Sequence, residues 1–96
     1  MKIHFTRRAV EDLHAIADYI TAHSESGAQN VELALLKSIE ELSEFPMLGV
    51  DEKELGVRKL LVPKYPYAIY YRVESDNVWI VHVRHGSRRL PEGGDL

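Results

Sequence analysis

The apolar positions of this chain change period near residue 57. Before it they recur at helical spacing. Ala9, Leu13, Ile16, Ala17 and Ile20 line one face, and Val31, Leu35, Ile39 and Leu42 line another; side chains three and four apart meet on one side of an α-helix. Thr6 stands where a hydroxyl can cap the first helix. The turn-forming run Ser24–Glu25–Ser26–Gly27 predicts its end near His23. Ser26 followed by Gln29 has the capping-box spacing and predicts the start of a second helix, which Pro46 and Gly49 close. A connection this short makes the two helices an antiparallel hairpin. Ile3 to Phe5 reads as a short first strand, and residues 47–56 read as an acidic loop.

After residue 57 the apolar residues are β-branched and aromatic. Val57 to Val62, Tyr67 to Glu74 and Val78 to His85 read as strands, with Pro63 and Pro66 breaking the first from the second. Ser75, Asp76 and Asn77 form the turn of an antiparallel hairpin. A three-residue turn sets Val73 against Trp79, Tyr71 against Val81 and Ile69 against Val83, and makes one face wholly apolar. A two-residue turn mixes the sets and buries arginine or His82. The buried face fixes register, so the first is expected. The predicted fold is α+β: a helical hairpin packed on a small, mostly antiparallel sheet in the order β-α-α-β-β-β. The expected core is Leu35, Ile39, Leu42, Ile69, Tyr71, Trp79, Val81 and Val83. The other face of the sheet then carries Tyr70, Arg72, His82 and Arg84.

Length and composition narrow the class. A chain of 96 residues fits one domain, spanning 1–96, with 91–96 expected as a flexible tail. It has no cysteine, which excludes a disulfide framework and cysteine-based zinc sites. No apolar run approaches the length of a membrane span, and the N-terminus lacks the pattern of a signal peptide; a cytoplasmic location is expected. Charge is unevenly shared. Residues 1–57 set five Lys and Arg against eleven Asp and Glu, net −6, and residues 58–96 set seven against four, net +3. The asymmetry points to a face for an anionic or acidic partner. Its basic members are Arg58, Lys59, Lys64, Arg72, Arg84, Arg88 and Arg89, which can neutralise phosphates or pair with carboxylates. His82 and His85 lie three apart on one strand and point to opposite faces, so no metal and no cofactor are expected. His85 has the chemistry of a general acid or base. Tyr65, Tyr67, Tyr70 and Tyr71 can stack on bases, although Tyr67 and Tyr71 fit the core better.

Several segments together resemble a known family. They are Phe5-Thr6 with Ala9, Asp12-Leu13, Ile16 and Tyr19-Ile20; Val57-Arg58-Lys59-Leu60; Tyr67-Ala68-Ile69-Tyr70-Tyr71-Arg72-Val73; and Val78 to Val83 running into Arg84-His85-Gly86-Ser87-Arg88-Arg89. In this order they resemble the RelE/ParE superfamily of bacterial toxins, and within it the ParE-like, plasmid-stabilisation branch. The resemblance implies a toxin held inactive by a ParD-like antitoxin, and it leaves two mechanisms open. ParE-like members poison DNA gyrase by binding it. RelE-like members are metal-independent endoribonucleases that cut mRNA on the ribosome. That branch carries an arginine on the middle strand, where it stabilises charge on the scissile phosphate; the matching position here is Ala68. It also carries a tyrosine near the C-terminus, and no tyrosine follows Tyr71 here. Both departures favour gyrase inhibition. On that reading Arg84, His85, Arg88 and Arg89 bind the target, and Arg58 and Arg72 pair with acidic residues of the antitoxin. On the ribonuclease reading His85, Arg84 and Arg72 are the catalytic candidates. Direct contact with nucleic acid is open between the two.

Overall fold

A computed structural model describes residues 1–86; Arg88, Arg89 and the segment 91–96 lie outside the described residues. The elements in order are β1 (Lys2–Phe5), α1 (Arg7–Thr21), α2 (Glu25–Glu44), β2 (Val50–Glu52), β3 (Val57–Leu61), β4 (Tyr67–Glu74) and β5 (Asn77–His85). The strands form one sheet in the order β1-β5-β4-β3-β2. β1 runs parallel to β5, and the other neighbours are antiparallel. The expected α+β class holds, with a fifth strand added.

Thr6 caps α1 as its position predicts, its hydroxyl oxygen accepting from the Ala9 N–H at 3.1 Å. α1 lays Ala9, Leu13, Ile16 and Ile20 on the core, and α2 lays Val31, Leu35, Ile39 and Leu42. The start of α2 differs from the capping-box expectation. Its cap is Ser24, whose extended backbone lets the Ser24 hydroxyl accept from the Gly27 N–H at 3.1 Å. The earlier start brings Glu25 into the first turn, where a carboxylate favours the positive end of the helix dipole.

The acidic segment 47–56 is only partly a loop. Val50–Glu52 pairs with β3, Val50 opposite Lys59 and Glu52 opposite Val57. A buried tyrosine organises this strand. The Gly49 N–H donates to the Tyr71 hydroxyl oxygen at 2.8 Å, and that hydroxyl donates to the Pro46 carbonyl at 2.7 Å. A side chain at residue 49 would meet the Tyr71 hydroxyl at 2.7 Å and the Lys59 carbonyl at 2.9 Å, so only glycine admits this approach.

The β4–β5 hairpin departs from the expected register. Glu74 pairs with Asn77, so the turn is two residues, Ser75 and Asp76. Ser75 adopts φ 52°, the sense of twist that short hairpin turns need. Val73 opposes Val78, Arg72 opposes Trp79 and Tyr71 opposes Ile80. The register then shifts, so that Tyr70 opposes His82 and Ile69 opposes Val83. Val81 is the extra residue of a β-bulge, which flips the alternation midway along β5. Val78, Ile80 and Val83 therefore all face the helices beside Ile69 and Tyr71. Trp79 and Val81, expected in that core, lie instead on the outer face with Val57, Ala68 and Tyr70. The bulge lets a two-residue turn keep Arg72 and Arg84 out of the helix-side core, an option that simple alternation does not contain.

Candidate functional site

β1 ends opposite Ile80, so the edge of β5 beyond that residue needs another cover. α1 supplies it. The Thr6 N–H donates to the Ile80 carbonyl at 3.0 Å and the Thr6 hydroxyl to the Val81 carbonyl at 3.1 Å. Six residues further along the helix, Asp12 Oδ2 accepts from the Val83 N–H at 3.1 Å and from His82 Nδ1 at 3.0 Å. Asp12 Oδ1 accepts from Arg8 Nε at 3.3 Å. The carboxylate thus satisfies a strand amide that would otherwise be left without a partner where the sheet edge is covered. His82, expected on the exposed face, is fully buried because of this pairing.

Beside Asp12 the end of β5 and the face of α1 enclose an open cleft of about 500 Å³, lined by Asp12, Ile16, Tyr19, Tyr67, Arg84 and His85. Tyr67 and His85 are cross-strand partners, and their rings meet edge to face with centroids 5.6 Å apart. The cleft therefore sets an imidazole, two phenols and a carboxylate around one space. Such groups can bind, orient and move protons. The sequence reading singled out His85 and Arg84 for this chemistry but gave no role in it to Asp12, Tyr19 or Tyr67. Residues 12, 16 and 19 share one face of a helix, which was the available signal.

The arginines divide between faces. Arg84 borders the cleft and, opposite Ala68, belongs by register to the outer face. Arg72 lies on that face as well, opposite Trp79. Arg58 does not. It opposes Tyr71, which faces the helices, so Arg58 and Arg72 point to opposite sides of the sheet. The Nε atoms of Arg58, Arg72 and Arg84 are buried with no hydrogen-bond partner among the described residues. The Arg72 Nε approaches Glu74 at 3.8 Å between a partly exposed arginine and an exposed glutamate side chain, a long contact of little energetic weight. Between the arginines the outer face carries aromatic residues. Lys59 lies 5.8 Å from the Tyr70 ring centroid. His4 stacks on Trp79 at 4.6 Å and is held by a 2.8 Å contact of its Nε2 with Asn77 Oδ1. Arg88 and Arg89, expected beside Arg84 and His85, lie outside the described residues. Among the described residues no three His, Asp or Glu side chains gather as a metal site, and no helix is long and apolar enough to cross a membrane.

Comparison with known proteins adds a second line of evidence. A family model described as the ParE toxin of the type II toxin-antitoxin system parDE matches residues 3–90. A Caulobacter vibrioides protein named Toxin RelE2 is 38% identical over 84 residues, covering 88% of this chain and 93% of that protein. A Sinorhizobium fredii protein named Y4kP is 30% identical over 91 residues, covering 95% of this chain and 94% of that protein. A solved structure of the chromosomal ParDE system from P. aeruginosa superposes with a TM-score of 0.75 at 24% identity, covering 88% of this chain and 95% of that one; at that identity it speaks for the fold.

Proposed function

The chain belongs to the ParE toxin family of type II toxin–antitoxin systems, within the RelE/ParE superfamily, and from that premise we propose that it acts by binding DNA gyrase and is neutralised by a cognate ParD-like antitoxin. The observation that carries binding over cleavage is Ala68. It is 1% exposed and is the second residue of β4, at the position where the ribonuclease branch places an arginine. A methyl group cannot offset charge on a phosphate in transition. The target surface is assigned to Arg84 and His85 at the end of β5, with Arg88 and Arg89, which follow them in sequence, assigned to the target as well. Arg58 and Arg72 are assigned to the antitoxin, which must then reach both sides of the sheet.

One observation supports a second reading. Arg84 stands directly opposite Ala68 on the neighbouring strand, so a guanidinium is present near the missing one, beside a cleft that holds His85 and Tyr67. On this reading the protein is a metal-independent endoribonuclease of ribosome-bound mRNA. Expression of the free chain in bacteria separates the two. Gyrase poisoning gives DNA breaks, a DNA-damage response and filamentous cells while translation at first continues. Prompt mRNA cleavage in phase with codons, abolished by His85→Ala, overturns the gyrase assignment and establishes the second reading.

A further inference from the structure

A large aromatic side chain gains by burial, yet Tyr19 on α1 is 66% exposed. The ring is nonetheless propped. Its centroid lies 4.8 Å from that of the His23 ring, and His23 Nδ1 donates to the Tyr19 carbonyl at 2.8 Å. Residues 12, 15, 16 and 19 fall on one face of the helix. That face is one wall of the cleft whose other wall carries Tyr67, Arg84 and His85. The two walls are tied together. Asp12 Oδ2 holds the Val83 N–H and His82 Nδ1, on the two residues just before Arg84 and His85. α1 cannot slide along β5 without breaking both contacts, so Tyr19 keeps a fixed place relative to the basic pair.

The chemistry of the cleft selects what docks there. Tyrosine and arginine are prominent among the residues that anchor protein interfaces, and here each lines one wall. Arg84 and His85 supply N–H donors suited to a carboxylate. The α1 wall offers Ala15, Ile16 and the Tyr19 ring, flanked by the exposed carboxylates of Glu11 and Asp18. A continuous polyanion laid along the cleft would run past these carboxylates and Asp12. A protein segment can instead set one acidic side chain at Arg84 and an apolar one on Tyr19. Resting on the target-binding role proposed for Arg84 and His85, we infer that the target surface is composite, with Tyr19 of α1 as a direct contact. Its ring receives an apolar side chain of the target protein, next to the acidic one that Arg84 and His85 hold. Arg58 and Arg72, assigned to the antitoxin, lie on β3 and toward the other end of β4 from Tyr67, so a change at Tyr19 separates the two partners.

The test uses the full chain and reads growth arrest on expression in bacteria, affinity for purified gyrase, and affinity for the cognate antitoxin. Tyr19→Ala puts the best helix former at an exposed helical site, so circular dichroism should show an intact fold. It should relieve growth arrest and weaken gyrase binding by about tenfold or more, with antitoxin affinity changed by less than about twofold. Tyr19→Phe keeps the ring and should recover most of the lost binding. Arg84→Glu should weaken gyrase binding at least as much as Tyr19→Ala, because it sets a negative charge against the target's carboxylate. Unchanged growth arrest and gyrase binding in Tyr19→Ala would overturn the contact. Equal losses for gyrase and antitoxin, or no recovery in Tyr19→Phe, would do the same. Undiminished gyrase affinity in Arg84→Glu would rule out the acidic segment. Binding of labelled single-stranded RNA by the native chain, abolished by Tyr19→Ala, would give the ring to base stacking and not to a protein. If the native chain arrests growth without binding gyrase, the gyrase reading alone falls, and growth arrest by Tyr19→Ala decides the contact. If it does neither, both fall.

Discussion

Tyr71 ties the sheet to the loop before β2, and its hydroxyl is the knot. Replacing it with phenylalanine leaves the Gly49 N–H and the Pro46 carbonyl without their partner. Leaving buried polar groups unsatisfied costs about 1–3 kcal/mol, so urea denaturation of Tyr71→Phe should show a loss of that order. The same residue sets an alkaline limit. Burial, the largest influence, raises the Tyr71 pKa above its ordinary 10.0, against smaller opposing effects of the Gly49 hydrogen bond and of Arg58. A raised phenol pKa means that above about pH 10 the unfolded chain releases this proton before the folded one does. Stability then falls as pH rises through that window, by up to about 1.4 kcal/mol per pH unit, and this contribution is flat below it. Stability curves of the native chain and Tyr71→Phe should converge as pH rises above 10, with the difference constant at lower pH. Asp12 plays the comparable part toward the other end of the strand order, at β5. Asp12→Ala deprives the Val83 N–H and His82 Nδ1 of an acceptor and should cost about 1–3 kcal/mol in the same assay. Neither role is written in the local sequence. An aspartate on a helix reads as solvated surface until the end of β1 leaves a strand amide for it to satisfy.

Among the elements, the helices were legible and the hairpin only partly so. The stripe Val31, Leu35, Ile39 and Leu42 is buried as the period requires, because helical periodicity is a local property. Two hydroxyls compete to start α2, and the backbone chooses Ser24. Ser24→Ala should therefore cost about 1 kcal/mol and Ser26→Ala much less, as thermal melts can show. In the hairpin, both strands were found, but the bulge at Val81 reassigned faces. This has a direct test. Ile80→Lys places a charge in the core and should prevent folding, whereas Trp79→Lys, at a partly buried position on the outer face, should still give a folded chain by circular dichroism. The reverse result would restore the simple three-residue register.

For the whole molecule, the division of charge acquires a geometry. Most acidic residues lie on the two helices and β2, whereas Arg58, Lys59, Arg72 and Arg84 lie on both faces of β3, β4 and β5. Arg58 and Arg72 were expected to act together on one face, yet the register separates them. Charge reversals at the two positions should then weaken antitoxin binding additively, each acting as an independent site, as a double-mutant cycle by calorimetry can measure. Coupling well above about 0.5 kcal/mol would mean that one contact spans both. Sequence alone determined the helix stripes, the three longer strands, the turn positions and the family resemblance, since each rests on residues close in the chain or on their order along it. Tertiary structure decided the rest: the bulge that turned Trp79 and Val81 outward, the burial of His82 against Asp12, the strand β2 held by Tyr71, and the cleft that joins Asp12 and Tyr19 to Tyr67 and His85. In a sheet a shift of one residue exchanges the faces, and the contacts that settle that shift come from residues about 70 positions away, as between Asp12 and His82.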